Sequence, residues 1–380
     1  MATLPVKYFA STMSGAPTLN GTAGSLLGLL SACLVDGWGS VTLTSVTVAS
    51  NVVTFNKTAH AFSVDQVIEI SGVTTPAALN GQYVVASVAT DSFTAVCTGI
   101  SDQTATGTIL CKVASAGWSK PYTGTNKAVF RSSDATSNKP CLRVLDTGTT
   151  TARLVGYAAM TGVDTGTDVF PTTAQVNGGT YWEKSTTANS TARPWILVAD
   201  TRTFYFWRAP DSGVSAINVC DHFSEYVSEK TGDAYNALLS GAVDASGLSS
   251  SRPQAIDGSS GNHWGPREYT QTGTSVALEP LRSPVVGVGY ASGRYGMTYP
   301  SPMHGGLLLS SPQLPVAAFY TAGFRCLALP GMFHTPQLAL SHGDFVTNVP
   351  GLSGRKLLAL GMDSGGGSAR IFLDLTGPWR

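Results

Sequence analysis

The sequence predicts a mainly β protein with few helices, and three observations predict it. Apolar and hydroxyl residues alternate with period two over the stretch 40–113, turn-forming residues punctuate short runs, and one aromatic-rich pair of runs is apolar at every position. The expected architecture is a small β-barrel module inserted after a short N-terminal helix and followed by a larger β-sandwich-like domain. The expected boundaries are an N-terminal arm and helix over 1–40, the module over 41–113, and a β-rich main domain over 114–380 that includes 1–40.

The first segment, Met1 to Asn20, has no period and reads as an extended arm, either disordered or laid along a neighbour. Leu26, Leu27, Leu30, Cys33 and Leu34 then fall on one face at helical spacing, with Ser25 or Thr22 as the candidate cap. This apolar run is far short of the roughly 20 residues that span a membrane. Leu30-Ser31-Ala32-Cys33 is shaped like a lipoprotein cleavage box. Only one basic residue, Lys7, precedes it, and the apolar run is short and sits late, so an amphipathic helix is the preferred reading.

Val46, Thr47 and Val48 alternate, and Val53 with Phe55 follows the turn Ala49-Ser50-Asn51. Ile68 and Ile70 alternate around Glu69. The pair Asn80-Gly81 predicts a tight turn with positive φ, followed by a strand over Gln82–Val88. Ser92–Cys97 and Thr106–Val113 complete the set, roughly 70 residues of short strands that suit a small barrel or sandwich.

Further on, Trp195–Val198 and Phe204–Trp207 flank Asp200-Thr201-Arg202, a hairpin apolar on both faces and hence covered on both by a second sheet or a partner chain. Asp221–Lys230 is the best helix candidate of this half, with Asp221 as cap and Phe223 and Val227 one turn apart. Asp244–Tyr269, rich in Ser, Gly and Asn, reads as a long surface loop, and Gly361–Ser368 as a flexible stretch before a last strand, Ala369–Leu375.

Charge narrows the function. Lys plus Arg and Asp plus Glu are 23 each, and charged residues are only 12% of the chain, about half the usual share of roughly 25%. A chain without a basic excess is poorly suited to nucleic acid, which needs phosphates neutralised. Near-zero net charge does little to hold copies apart, so it suits a protein covered by neighbours.

Two sets of residues carry a resemblance. His60-Ala61-Phe62-Ser63-Val64-Asp65-Gln66-Val67-Ile68-Glu69-Ile70-Ser71-Gly72-Val73, then Leu79-Asn80-Gly81-Gln82-Tyr83-Val84-Val85 and Asp91-Ser92-Phe93-Thr94, resemble the FCCH-type β-barrel module. That module is named after a domain of the ubiquitin-activating enzyme and recurs in phage virion proteins. The sequence departs from its pattern at two glycines, with Ala61 after the histidine and Val64 before Asp65, which implies tighter φ limits at those turns. Outside the module, Met13-Ser14-Gly15-Ala16-Pro17, Gly21-Thr22-Ala23-Gly24, Ala116–Tyr122, Asp146-Thr147-Gly148-Thr149, Val155-Gly156-Tyr157 and Asp374–Trp379 resemble a family of phage virion structural proteins. The resemblance implies a structural role in the virion more firmly than a position in the particle, and no ubiquitin chemistry.

Residues capable of chemistry do not gather into a motif. Gly287-Val288-Gly289-Tyr290-Ala291-Ser292-Gly293 misses the spacing of a phosphate-cradling loop, and Gly361-Met362-Asp363-Ser364-Gly365 misplaces the serine of a nucleophile elbow. His334 and His342 with Asp344 could serve a metal, and Cys220-Asp221-His222 a thiol nucleophile. Neighbours in a strand point to opposite faces, which argues against a shared Cys–His site. The six cysteines form no CxxC pair, and a Cys97–Cys111 bridge across a hairpin is disfavoured against free buried thiols. Carboxylate pairs are set by the fold alone. Tyr181-Trp182, Tyr290, Tyr295 and Tyr299 are aromatic residues that could stack on a sugar, with ordinary packing the preferred reading.

The expectation is a non-enzymatic structural subunit of a phage virion, in the tail, baseplate or tail tip. It carries no catalytic, metal or cofactor site. Its partners are copies of itself and other virion proteins, with neither nucleic-acid binding nor membrane insertion, and it assembles in the host cytoplasm. The alternatives are a host receptor-binding adhesin tip, which would take a cell-surface glycan or protein, and a capsid decoration or head-fibre protein. A depolymerising enzyme is the least favoured. Heptads and fixed repeats are absent from the sequence, which argues against a whole fibre.

Overall fold

The computed structural model describes residues 5–211, 218–228, 230–245, 263–268, 270–278, 309, 329–335, 340–361 and 370–380. The described strands form five sheets, and every pairing between them is antiparallel. The protein is mainly β, with one short helix.

A seven-stranded sheet forms the middle of the main domain. Its spatial order is Lys7–Ala10, Trp195–Ala199, Thr203–Arg208, Val219–Glu225, Ala237–Ser240, His263–Gly265 and Val276–Leu278. Alternate side chains leave it on opposite faces. Phe204, Phe206, Phe223 and Trp264 share an apolar cluster with Phe130, Leu142, Leu154 and Phe170. These four belong to a six-stranded sheet built from Trp118–Gly124, Lys127–Ser132, Cys141–Leu145, Thr151–Met160, Gly166–Phe170 and Thr180–Glu183. From the other face Tyr205, Trp207, Cys220 and Leu238 pack with Leu358, Leu360, Ile371 and Leu373. Those come from a four-stranded sheet of Met332–Thr335, Arg370–Asp374, Lys356–Gly361 and Phe345–Thr347. The hairpin read as apolar on both faces is therefore covered on both by the chain itself.

Residues 38–113 form two further sheets. One runs Trp38–Thr42, Thr106–Val113, Val67–Thr75, Gly81–Val84, the other Ser87–Val88, Ser92–Val96, Val52–Asn56, Ser45–Ala49, Gln103–Thr104. Phe55, Phe93, Ile68 and Ile70 lie in one apolar cluster, and the Phe55 and Tyr83 rings meet at 5.8 Å across the two sheets. Val113 pairs with Trp38, so the chain enters and leaves this unit on neighbouring strands.

Several expectations need correction. The arm is not extended along a neighbour: Lys7–Ala10 pairs with Ala199–Ile196, and Leu19 bridges to Arg193. Its alternation is hidden because all four strand residues lie within the main domain, Tyr8 only half-buried. Asp221–Lys230 does not begin a helix. Val219–Glu225 is a strand buried at every position, and Asp221 caps nothing because Arg208 engages it. The Phe223–Val227 spacing imitated a helix, but packing between two sheets overrides that local signal. Of the loop expected over Asp244–Tyr269, His263–Gly265 is a buried strand, while 246–262 and 269 lie outside the described residues.

Asn80 has φ −67° and Gly81 φ +155°, so only Gly81 takes a positive φ and the pair is not a two-residue hairpin turn with positive φ at both positions. Instead the Asn80 amide accepts from Val73 N at 2.9 Å and donates to Val73 O at 2.8 Å, tying the turn to a strand. The strand expected over Gln82–Val88 is split, with Gly81–Val84 in one sheet and Ser87–Val88 in the other. The turn after Ala49 is two residues, Ser50 and Asn51, both with positive φ. The last strand is Arg370–Asp374, and residues 362–369 lie outside the described residues.

A helix forms over Ser25–Ser31 and continues as a wider turn over Ala32–Asp36; Leu26, Leu30, Cys33 and Leu34 are buried as expected, but Leu29 is buried as well and Leu27 is only half-buried. Neither Ser25 nor Thr22 caps it. The cap is supplied by Asp146, whose Oδ2 accepts from Leu27 N at 3.0 Å. Asp146 is itself held by Lys184, Nζ to Oδ1 at 2.5 Å, with both side chains wholly buried. Lys184 Nζ also donates to Thr22 O at 2.6 Å and Gly148 O at 2.8 Å. Burial pushes the Asp146 carboxyl up, and the Lys184 ammonium and helix N–H groups pull it back down.

Lys184→Met leaves Asp146 buried without its counter-charge and is expected to lower the unfolding free energy by about 3–5 kcal/mol. The double variant Lys184→Met/Asp146→Leu removes the orphaned charge and is expected to recover part of that loss. Urea melts of the three proteins check both outcomes.

The departures from the glycine pattern have a measurable consequence at Ala61, whose φ is +61°. A side chain in that region costs about 1 kcal/mol. His60 fixes the conformation: its Nδ1 accepts from Phe62 N at 3.0 Å, and its Nε2 faces Ala89 O at 2.9 Å and Ser92 O at 3.2 Å. Val64 is not strained in this way, since Asp65 takes the positive φ of that turn, +69°. Ala61→Gly is expected to raise stability by about 0.5–1 kcal/mol, read as a higher urea midpoint.

Candidate functional site

The feature most readily available to a partner is the outer face of the five-stranded sheet. Along Ser45–Ala49, Val52–Asn56 and Ser92–Val96 burial alternates residue by residue, so Val46, Val48, Val53, Phe55, Phe93 and Ala95 point inward and the remainder outward. Strand pairing sets the outward residues in rows. The middle row is Thr104, Thr47, Thr54, Thr94 and Ser87, one hydroxyl from each of the five strands. The row on one side is Ala49, Val52 and Val96, and on the other Ser45, Asn56 and Ser92.

No residue in these rows is charged. Asp102 lies at one end of the face, its carboxylate accepting from Ser50 N at 2.8 Å, and Asp91 and Lys57 lie at the other, joined by a backbone bond. Ser87 and Thr94 hydroxyls bond at 2.6 Å, and Asn56 donates to Ser45 at 3.0 Å. Val52 and Val96 are 40% and 66% exposed, an apolar step beside the hydroxyl row. At ~4.8 Å between strands and ~3.4 Å per residue the rows cover roughly 19 Å by 14 Å.

The residues singled out for chemistry are placed differently. Cys220, Asp221 and His222 lie in one strand, and Cys220 and His222, two apart, share a face, so the opposite-face argument applies to Asp221 alone. Neither Cys220 nor His222 reaches solvent, and burial pushes the Cys220 thiol far up, which disfavours a thiolate nucleophile. His342 stacks on Trp207 at 4.2 Å and its Nδ1 accepts from Gly361 N at 3.2 Å. Burial, then the Arg370 charge, lowers its pKa. Asp344 accepts from Ser341 N at 2.7 Å, and the side chain of His334 lies outside the described residues. Among the described residues no three His, Cys, Asp or Glu side chains gather as a metal site.

Trp182 is wholly buried and donates to Ser240 O at 2.7 Å, and Tyr181 carries the Arg153 guanidinium at 3.6 Å from its ring centre, so both are occupied by packing. Tyr290, Tyr295, Tyr299, the glycine run 287–293 and Ser364 lie outside the described residues. No described helix is long and apolar enough to cross a membrane.

The constellation that sequence reasoning missed is a buried charge group inside the main domain. Arg208 Nη2 meets Asp221 Oδ2 at 2.7 Å, and Arg208 Nε donates to Glu183 O. Ser240 Oγ donates to Asp221 Oδ1 at 3.0 Å. Burial raises the pKa of Asp221 and Glu183 against the lowering charge of Arg208. Two carboxyls near one guanidinium resemble an acid–base pair in chemistry, but all three side chains are buried, so a substrate has no approach. A polar cleft of ≈ 560 Å³ opens elsewhere, bordered by Arg202, Lys230, Asp233 and Arg380. Arg202 there is engaged by Asp134 and Arg380 by Asp200.

No protein-family model matches the chain, and no curated protein is significantly similar to it.

Cys33, Cys97, Cys111, Cys141 and Cys220 are free and buried, and burial raises the pKa of each thiol. Native-state labelling with a thiol reagent at pH 8 is expected to reach none of these five until denaturant is added. Peptide mapping of the labelled chain reads this.

Proposed function

We propose that the chain is a non-enzymatic structural subunit of a bacteriophage virion, placed in the tail or baseplate and working by contact with copies of itself and with neighbouring virion proteins. The observation that carries the assembly reading is the uncharged five-stranded face with charges only at its ends. Charge depletion at the centre with polar groups at the rim is the anatomy of a protein interface. The virion reading rests on the resemblance of the module and of the flanking segments from Met13 to Trp379.

The occupant proposed for the face is a second copy of this chain. An uncharged face can meet itself without burying an unpaired charge, and the net charge of zero opposes association least. The face is smaller than the ~800 Å² per partner of a standard interface. A single contact of this size is weak, and copies held together by other virion proteins gain from effective concentration.

Sedimentation velocity over a concentration series tests the contact. The wild-type chain is expected to associate as concentration rises. Thr54→Lys, which puts a charge at the centre of the face, is expected to weaken association at least tenfold with an unchanged melt. A wild-type monomer at all concentrations, or equal association of the variant, rejects the face as the contact. Immunogold labelling of particles tests the location, and label confined to heads, or found on no particle, rejects the tail assignment.

A further inference from the structure

We propose that His222 and His263 form an acid-sensitive latch that holds the outer strands of the seven-stranded sheet closed at neutral pH and releases them in acid. The inference is independent of the assembly reading.

The first observation is a buried histidine whose ring lacks partners. His222 is fully buried, and neither ring nitrogen makes a hydrogen bond among the described residues. Such groups are uncommon in folded proteins, where buried polar atoms are nearly always paired. A neutral imidazole tolerates this environment far better than an imidazolium.

The second observation is what surrounds it. The His263 ring lies at 5.4 Å and the Tyr205 ring at 5.6 Å, so a proton on one histidine opposes a proton on the other. Tyr205 is occupied, donating its hydroxyl to Pro330 O at 2.8 Å and packing against Trp379 at 5.7 Å. Cys220 shares the His222 face of its own strand, and Leu238 is the apolar contribution of the next strand to the same cluster. The nearest carboxylate in sequence, Asp221, leaves the opposite face and is held by Arg208 and Ser240. The four-stranded sheet contributes His342 and Arg370 near Trp207, both unsuited to balancing a positive charge. No carboxylate among the described residues meets the His222 ring.

The third observation is where the pair sits. Trp195–Ala199 and Thr203–Arg208 pair over five residues and Thr203–Arg208 and Val219–Glu225 over six. Outward from Val219–Glu225 the pairings among the described residues cover three, two and three residues, the last two bounded by positions 262 and 279, which lie outside the described residues. Among the described strands, the three beyond Val219–Glu225 lie together at one margin of the sheet. His263 is on the middle one of these three outer strands, so opening them brings both rings to water.

The direction of the pH effect follows from linkage. Burial, and then the neighbouring His263, holds the pKa of His222 well below its ordinary 6.5 in the closed sheet. The open form binds the proton near 6.5 and the closed form does not. The stability contributed by the closed pair is thus complete above pH 6.5 and is lost as pH falls below it. Asp221 and Glu183, with carboxyl values raised by burial, act in the opposite sense and favour the closed form in acid. A histidine variant separates the two effects.

Hydrogen–deuterium exchange with mass spectrometry, corrected for the intrinsic pH dependence of exchange, tests the latch. Between pH 7.5 and pH 5.0 the wild-type chain is expected to lose at least tenfold protection in 237–240 and 263–265, with 195–208 unchanged, and to regain it on return to pH 7.5. His222→Phe, which cannot be protonated, is expected to show equal protection at both values. Should that variant fail to fold, the wild-type titration decides alone. Unchanged outer strands at pH 5.0, loss of protection uniform across the sheet, or the same acid loss in a folded His222→Phe variant each overturns the proposal.

Discussion

The main domain depends on one buried ion pair. Lys184 and Asp146 are both fully buried, and between them they bind the loop before the helix, the first turn of the helix, and the hairpin between Cys141–Leu145 and Thr151–Met160. Lys184 follows the strand Thr180–Glu183, which itself pairs with Thr151–Leu154. A buried pair adds little net stability over an apolar replacement, because desolvating both ions consumes most of the attraction. Its effect here is geometric. Nζ has three hydrogens, and Asp146, Thr22 O and Gly148 O take them, so few other arrangements of these three segments satisfy the ammonium. The same logic recurs where Arg208 meets Asp221 and where Arg380 meets Asp200. In a chain with so few charges, several of them are used to fix how segments are set against one another.

What could be read from sequence separates cleanly by range. Strands of residues 45–113 were legible because their inward and outward sides alternate, and the 195–207 hairpin because aromatic residues fill both faces. The strand Lys7–Ala10 was not, since a buried lysine and a half-buried tyrosine break any simple pattern. Burial lowers the pKa of Lys7 to about 8, and nearby Asp200 and Glu69 oppose that shift, so its place in the fold is decided by residues far along the chain. Val219–Glu225 failed for a related reason: Asp221, His222, Ser224 and Glu225 look like surface residues until Arg208 and Ser240 are placed beside Asp221. The helix cap was invisible because Asp146 is 119 positions from Leu27.

The same division holds for the candidate sites. Thr47, Thr54 and Thr94 could each be seen as outward hydroxyls of a strand. That they form one row needs the register of three strand pairs. The His222–His263 contact needs the strand Ala237–Ser240 placed between them, and that order follows only from the sheet. Neither is a motif in the sense of a fixed spacing, because antiparallel pairing joins positions whose separation depends on the lengths of the intervening loops.

The layering of the main domain also limits where contact can be made. Its central sheet is covered on both faces by its own chain, through the six-stranded sheet on one side and the four-stranded sheet on the other. Its reactive groups, Cys220, His222, Asp221 and Arg208, are sealed within those layers. Residues 38–113 differ, for their two sheets pack on each other through one face each and leave the second face of the five-stranded sheet to solvent. An antiparallel sheet tolerates this when its outer side chains are polar. Charged residues would serve that need, and on an exposed sheet they would also guard against association. Hydroxyls and valines meet the first need and not the second. The two-residue strands Ser87–Val88 and Gln103–Thr104 limit pairing at the sheet edges, so the protection against edge-to-edge growth is present while protection across the face is absent. A sheet guarded at its edges and unguarded on its face is suited to being covered by a matching face rather than extended by another strand.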